Sequence, residues 1–125
     1  MNASMQTVLL DTDVVIDFLR GRSSILVPLI ENAVAYLSIL SVYELYAGMR
    51  VEEEKVTNDF IQACHIEPVS MEIAKAAGMT RLKYRQQGIT LSVVDCIIAE
   101  TARLHHHQVA TDNKKHYPDS VFWTL

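Results

Sequence analysis

The stretch TVLLDTDVVIDFLRG, residues 7–21, decides the fold. Its opening, Thr7 to Leu10, is a continuous apolar run, too short for a helix, and reads as a buried strand. The run ends at Asp11. From Asp13 the period changes: Val14, Val15, Phe18 and Leu19 follow helical spacing until Gly21 stops them. A buried strand that passes through an acid into an amphipathic helix is the first unit of an alternating α/β chain.

The alternation continues outward from there. Ser24 to Glu31 reads as a helix and Ala35 to Ile39 as a strand. Ser41 opens a short helix over Val42 to Ala47, with Gly48 as its C-terminal stop. Glu52, Glu53 and Glu54, followed by Val56, Phe60 and Ile61, make an amphipathic helix whose acids sit in water at its positive end. His65 to Val69 is a strand. Ser70 to Gln87 is a long helix, capped by Ser70 and ended by Gly88, and Ser92 to His107 is another. Val109 to Thr111 is a strand, Lys114 to Tyr117 a turn or short helix, and Val121 to Leu125 a last strand. Strands separated by helices require crossover connections. The expected architecture is therefore a mostly parallel central sheet of about five strands, flanked by helices on both faces. Such sheets bind ligands beyond the carboxyl ends of their strands.

Composition narrows the function. A chain of 125 residues, half of them hydrophobic, fits a single domain over 1–125 with a sizeable core. Eleven basic residues against fifteen acids give a net charge of -4, so no overall basic field would draw in nucleic acid. The longest apolar candidate, Ile25 to Tyr43, is interrupted by Glu31 and Asn32, so no membrane span is expected. Met1 to Gln6 carry no basic cluster ahead of an apolar stretch, and no secretory leader is expected. Cys64 and Cys96 form no CxxC and read as reduced core residues of a cytoplasmic protein.

Four carboxylates fall at element boundaries: Asp11 after the first strand, Glu44 and Asp95 at helix starts, and Asp112 after the fourth strand. In this topology all four lie on one edge of the sheet. Like charges gathered there need protons or a cation. Oxygen ligands without clustered cysteine or histidine suit Mg²⁺ or Mn²⁺ and not zinc. A water on such an ion, beside a phosphodiester, is a nucleophile for in-line displacement. Each acid also has an ordinary reading. Ser41-Val-Tyr-Glu44 and Ser92-Val-Val-Asp95 have capping-box spacing, Asp11 can introduce a helix, and Asp112-Asn113 can form a turn.

These four segments together resemble the PIN-domain family, and most closely its VapC-type toxin ribonucleases. The matching motifs are Val8-Leu-Leu-Asp11-Thr-Asp-Val-Val-Ile16, Ser41-Val-Tyr-Glu44-Leu-Tyr-Ala-Gly48, Ser92-Val-Val-Asp95-Cys-Ile-Ile-Ala99 and Ala110-Thr-Asp-Asn-Lys-Lys-His-Tyr117. The resemblance implies a PIN-like three-layer sandwich and a Mg²⁺-dependent endoribonuclease in which Mn²⁺ can substitute. It implies catalytic roles for Asp11, Glu44, Asp95 and Asp112. Asp11 and Asp95 would be direct metal ligands, and Glu44 and Asp112 would act through water or a second ion. Thr12, Thr111 and Asn113 would support the site. Asn113 stands in the family's usual fourth column and Asp112 carries the charge, so both stay open. Asp13 reads as a cap of the first helix, and Glu100 replaces a residue that is usually small and apolar. The implied partners are a structured RNA, a cognate antitoxin and a second copy of the chain. The helix with Val56 and Phe60, together with Phe18 and Leu19, could offer the antitoxin's groove.

Arg81, Lys83 and Arg85, with Lys114 and Lys115, are candidates for phosphate contacts; the first three equally complete a helix dipole. His105, His106 and His107 read as a solvated helix end. Two other functions compete. Leu10-Asp11-Thr-Asp13-Val resembles the nucleophile motif of haloacid-dehalogenase-type phosphatases, but the Gly-Asp pair of that family is missing. A catalytically silent PIN-like scaffold that binds RNA or antitoxin would have no need of the core acids. The net charge also changes meaning. Without the four site acids, eleven acids remain against eleven basic residues, a balanced surface.

Overall fold

The computed structural model describes residues 5–22 and 24–124. In chain order these form β1 (Gln6–Leu10), α1 (Thr12–Leu19), α2 (Leu26–Asn32), β2 (Ala33–Ser38) and α3 (Ile39–Gly48). A 3₁₀ turn (Val51–Glu53) leads into α4 (Glu54–Ala63), β3 (His65–Glu67) and α5 (Met71–Gln86). Then come α6 (Val93–His105), β4 (Gln108–Ala110) and a second 3₁₀ turn (Lys114–His116). The strands make one parallel sheet in the order β3-β2-β1-β4.

β1 is central because it is apolar on both faces. Val8, Leu9 and Leu10 are all 0% exposed. Alternation sends Val8 and Leu10 to one face, where Val14 and Val15 of α1 and Leu26 and Leu29 of α2 cover them. Leu9 faces the other way, under Ile98 and Ala102 of α6 and Tyr117. α5 joins that layer through Ile73 and Ala77, packed with Cys96 and Ile97. The result is the expected three-layer sandwich.

The sheet has four strands, not five. Of the expected strand Val121 to Leu125, Leu125 lies outside the described residues. The remainder touches β4 at one register only, Phe122 beside Val109. Two backbone bonds hold it, Val109 N–H to Val121 O at 2.8 Å and Trp123 N–H to Val109 O at 3.0 Å. Trp123 then packs with Val8 and Leu10, so the segment closes the core instead of extending the sheet. β3 ends at Glu67 and not at Val69.

The second motif is also built differently. β2 runs to Ser38, and Ser38, not Ser41, caps α3, its Oγ accepting from the Leu40 N–H at 3.1 Å. Ser41 is a fully buried helical residue, and Glu44 sits in the second turn rather than the first. Gly48 is the last residue of α3, whereas Gly21 (φ +71) and Gly88 (φ +81) take the left-handed conformation expected after a helix. Glu100 has a structural account: it accepts from Thr80 Oγ1 at 3.1 Å and pairs with Arg103, tying α5 to α6. Both cysteines are free. Burial pushes the Cys64 thiol up to about 11 and the Cys96 thiol up as well. No helix among the described residues is long and apolar enough to cross a membrane.

The histidine run corrects a further expectation. α6 stops at His105, and His106 turns the chain with φ 59. His105 and His106 are exposed as expected, but His107 is buried. Its Nε2 donates to Glu67 Oε2 at 2.5 Å, Nδ1 meets Thr7 Oγ1 at 2.7 Å, and its ring lies 4.3 Å from that of Tyr36. One imidazole thereby joins β1, β2, β3 and the entry to β4. His107→Ala removes the close partner of Glu67, leaving it, among the described residues, only His105 Nε2 at 3.8 Å, and should cost about 2–4 kcal/mol, read as a lower urea midpoint. A midpoint equal to the parent's would reject this role.

Candidate active site

Asp11 ends β1, and its N–H bonds to Ala110 O at 2.9 Å, so the carboxyl ends of β1 and β4 are tied together. Asp11 stands at the N-cap position of α1, yet its side chain makes no capping bond. A capping carboxylate would accept from N–H groups of the first turn. This one accepts instead from Thr111 Oγ1, at 2.7 Å on Oδ2. At 5% exposed, it is a buried acid free of structural duty in its helix.

Asp95 shows the same division of labour. Ser92 caps α6, its Oγ accepting from the Asp95 N–H at 3.0 Å. The Asp95 carboxylate is left to accept from Tyr117 Oη at 3.0 Å on Oδ1, with His116 Nδ1 3.5 Å from Oδ2. Glu44 arrives from α3 and accepts from Thr12 Oγ1 at 2.7 Å on Oε1. Thr12 has one proton, and Glu44 takes it, so the buried Ser41 hydroxyl at 2.9 Å is left to donate to Thr12. Each acid thus has one neutral hydroxyl donor, and the ion pairs among the described residues bring no lysine or arginine onto any of them.

Asp13, expected as a cap, is a fourth acid of this cluster. Partial burial, and then the charges of Asp11, Asp95 and Asp17, raise its pKa, against a smaller opposite pull from His116. Asp13→Asn removes that repulsion, so metal-free variant protein should melt above the parent at neutral pH. A carboxyl whose pKa is raised by folding stabilises the fold in acid, and that contribution is lost as pH rises through the folded pKa. The gap in melting temperature therefore closes on acidification. Calorimetry in chelator reads both, and a gap that is independent of pH would contradict the charge argument. The phenol of Tyr117 is likewise pushed well above its ordinary range, first by burial and then by Asp11 and Asp95.

The fourth motif delivers Thr111 and Tyr117 to the cluster, not Asp112. Asp112 is exposed and lines an open cleft with Ile25, Pro28, Lys114 and Trp123. Asn113 contributes through its backbone, its N–H donating to Thr111 Oγ1 at 2.9 Å. The basic candidates also separate. Arg81 is a clamp, Nε donating to Leu91 O at 2.9 Å across the α5–α6 connection. Lys83 lines a cavity of ≈ 520 Å³ with Glu100, Arg103 and Gln108. Arg85 is exposed on α5. Lys114 and Lys115 are exposed on the 3₁₀ turn that leads to Tyr117. Asp13, His116 and Tyr117 were absent from the expected site. The signal for Tyr117 was its place as the aromatic of the fourth motif; for Asp13 it was adjacency to Asp11.

The donors suit an oxygen-seeking divalent cation. They are carboxylates, buried at Asp11 and partly exposed at Glu44 and Asp95, with no thiolate and one peripheral imidazole. Among the described residues no three His, Cys, Asp or Glu converge closely enough to enclose an ion alone. That donor set matches an ion such as Mg²⁺, which keeps most of its water and takes one or two carboxylates directly.

A parallel sheet with a buried acid, Asp11, held by Thr111 where β1 and β4 end is an α/β site at the switch in strand order. The sequence model of the PIN domain matches residues 8–118, so the chain belongs to the PIN-domain family. Among its relatives is Ribonuclease VapC10 of Mycobacterium tuberculosis, 32% identical over 114 residues, covering 89% of this chain and 86% of that protein. Ribonuclease VapC19 of the same organism is also 32% identical, over 88% of this chain and 91% of its own length. Similar solved structures include a toxin–antitoxin complex from Klebsiella pneumoniae, with TM-score 0.74 and 25% identity over 90% of this chain and 91% of that one. The fold is also that of a DNA-bound VapBC from Salmonella typhimurium, with TM-score 0.81 and 20% identity over 95% of this chain and 98% of that one.

Proposed function

We propose that this protein is a divalent-metal-dependent endoribonuclease of the VapC type, the toxin of a toxin–antitoxin pair that cleaves a structured RNA. One observation carries the reading. Three carboxylates from three separate elements each take one hydroxyl donor, and among the described residues none is neutralised by lysine or arginine: Asp11 and Asp95 both lie near Asp13, and Thr12, the residue after Asp11, holds Glu44. The relatives named ribonucleases support it.

In this reading Asp11 and Asp95 hold Mg²⁺ or Mn²⁺. The ion, when bound, makes water a better nucleophile and offsets charge on the phosphate. The chain's own groups do the positioning. Thr111 fixes Oδ2 of Asp11, and Oδ1 would serve the ion. Thr12, backed by Ser41, fixes Glu44 Oε1, so Oε2 can accept a hydrogen bond from the attacking water and aim it in line with the leaving oxygen. Asp13 adds negative charge that a cation relieves. Lys114 and Lys115 contact RNA phosphates beside the site, and Arg85 a more distant one. Asp112 acts at most through water at the rim.

The antitoxin partner is part of the same proposal. α1, α3 and α4 border a cleft lined by Ile16, Leu19, Leu45 and Met49, with Arg20 paired to Glu53 at its edge. Phe18 and Phe60 lie beside it, ring centroids 5.7 Å apart. An amphipathic antitoxin segment fits such a strip, and a dimer of the chain would present two.

Purified protein incubated with end-labelled structured RNA and Mn²⁺ tests the reading. Discrete internal cuts that need the ion are the expected result. Intact RNA, despite measured Mn²⁺ binding, would favour a silent scaffold.

A further inference from the structure

Tyr117 is 0% exposed, packed with Leu9, Ile98, Ala102 and Val109 at the base of the acid cluster. The ring satisfies the packing, and phenylalanine would fill nearly the same volume. The hydroxyl does something the core does not ask for. It donates to Asp95 Oδ1 at 3.0 Å. The phenol lies against both Asp11 and Asp95 but has one proton; Thr111 already serves Asp11, and the 3.0 Å geometry gives the phenol's proton to Asp95.

The consequence for Asp95 is orientation. Ser92 has already taken the capping role, so no other hydrogen bond holds the carboxylate among the described residues. Asp11 and Asp13 carry like charge nearby and would turn it outward toward water. Pinning Oδ1 leaves Oδ2 without a hydroxyl donor among the described residues, 3.5 Å from His116 Nδ1.

We propose that Tyr117 is a positioning residue whose hydroxyl fixes Asp95 so that Oδ2, with Asp11, is presented to the divalent cation. This rests on the metal-dependent reading above. Partners that orient a ligating carboxylate are worth about 10–100-fold in metal affinity.

Calorimetric titration with Mn²⁺ alone tests it, using the whole chain, Tyr117→Phe, and the protein with 4-aminophenylalanine at 117. The parent binds Mn²⁺; Tyr117→Phe binds about 10–100-fold more weakly with its melting curve preserved. The amino variant, which returns a donor to the same place, recovers affinity. Equal affinity in the parent and Tyr117→Phe overturns the assignment while leaving the metal reading intact. A parent that binds no Mn²⁺ overturns both. If Tyr117→Phe does not fold, 4-aminophenylalanine is compared with 4-fluorophenylalanine at 117, which has similar size and no donor. Matching affinities in that pair reject the role.

Discussion

Asp11→Asn is expected to abolish RNA cleavage, lowering the single-turnover rate by at least about 10²–10³-fold, while the protein stays folded. Asparagine keeps the shape and can keep the 2.7 Å bond from Thr111 on its carbonyl oxygen. It cannot keep the charge, and its amide group meets the cation with N–H instead of an oxygen lone pair. Folding should not suffer, because Asp11 makes no capping bond in α1 and loses repulsion from Asp13 when its charge is removed. Asp95→Asn should behave alike, since Ser92 and not Asp95 caps α6. Circular dichroism checks the fold and labelled RNA the rate. Wild-type cleavage by either purified variant would remove these acids from the chemistry.

The second large effect comes from chelation. With the ion removed, cleavage should stop entirely, and RNA affinity should fall by about tenfold or more at low salt, since Asp11, Asp13 and Asp95 then face the phosphates unrelieved. The loss should reverse with Mg²⁺ or Mn²⁺ and not with added monovalent salt, which screens without bridging. Fluorescence anisotropy with a non-cleavable RNA separates binding from cutting. RNA affinity unchanged in chelator would show that the acids lie away from the bound strand.

Periodicity and boundary residues made the three layers and the order of elements legible. β1 reads correctly because burial on both faces leaves a run of apolar residues with nothing to alternate. Asp11, Glu44 and Asp95 were readable as candidates because Asp11 follows a strand, Glu44 lies in the helix after the second strand and Asp95 lies in the first turn of the helix before the fourth. What stayed hidden has a common cause. Ser38 and Ser41 are both plausible caps, and only the register of β2 decides between them. His107 looks like its two neighbours until the left-handed turn at His106 sends it inward. Tyr117 reads as a core aromatic, and so it is; its hydroxyl meets Asp95, 22 residues earlier, only because α6 and the last turn fold back over Leu9. Asp112 offered charge in the right segment, but the backbone there turns Thr111 inward and Asp112 out.

The bond from Thr111 to Asp11 spans 100 residues, and the pairing of β1 with β4 has the same reach. A ribosome adding about 5–20 residues each second needs roughly 5–20 s to cover that distance. Through that interval the nascent chain can pair β1 with β2, but it has no partner for Asp11 and no Tyr117 over Leu9. On the proposed reading, cleavage competence therefore waits for the segment that carries Thr111 and Tyr117, because Asp11 and Asp95 take their hydroxyl donors from it.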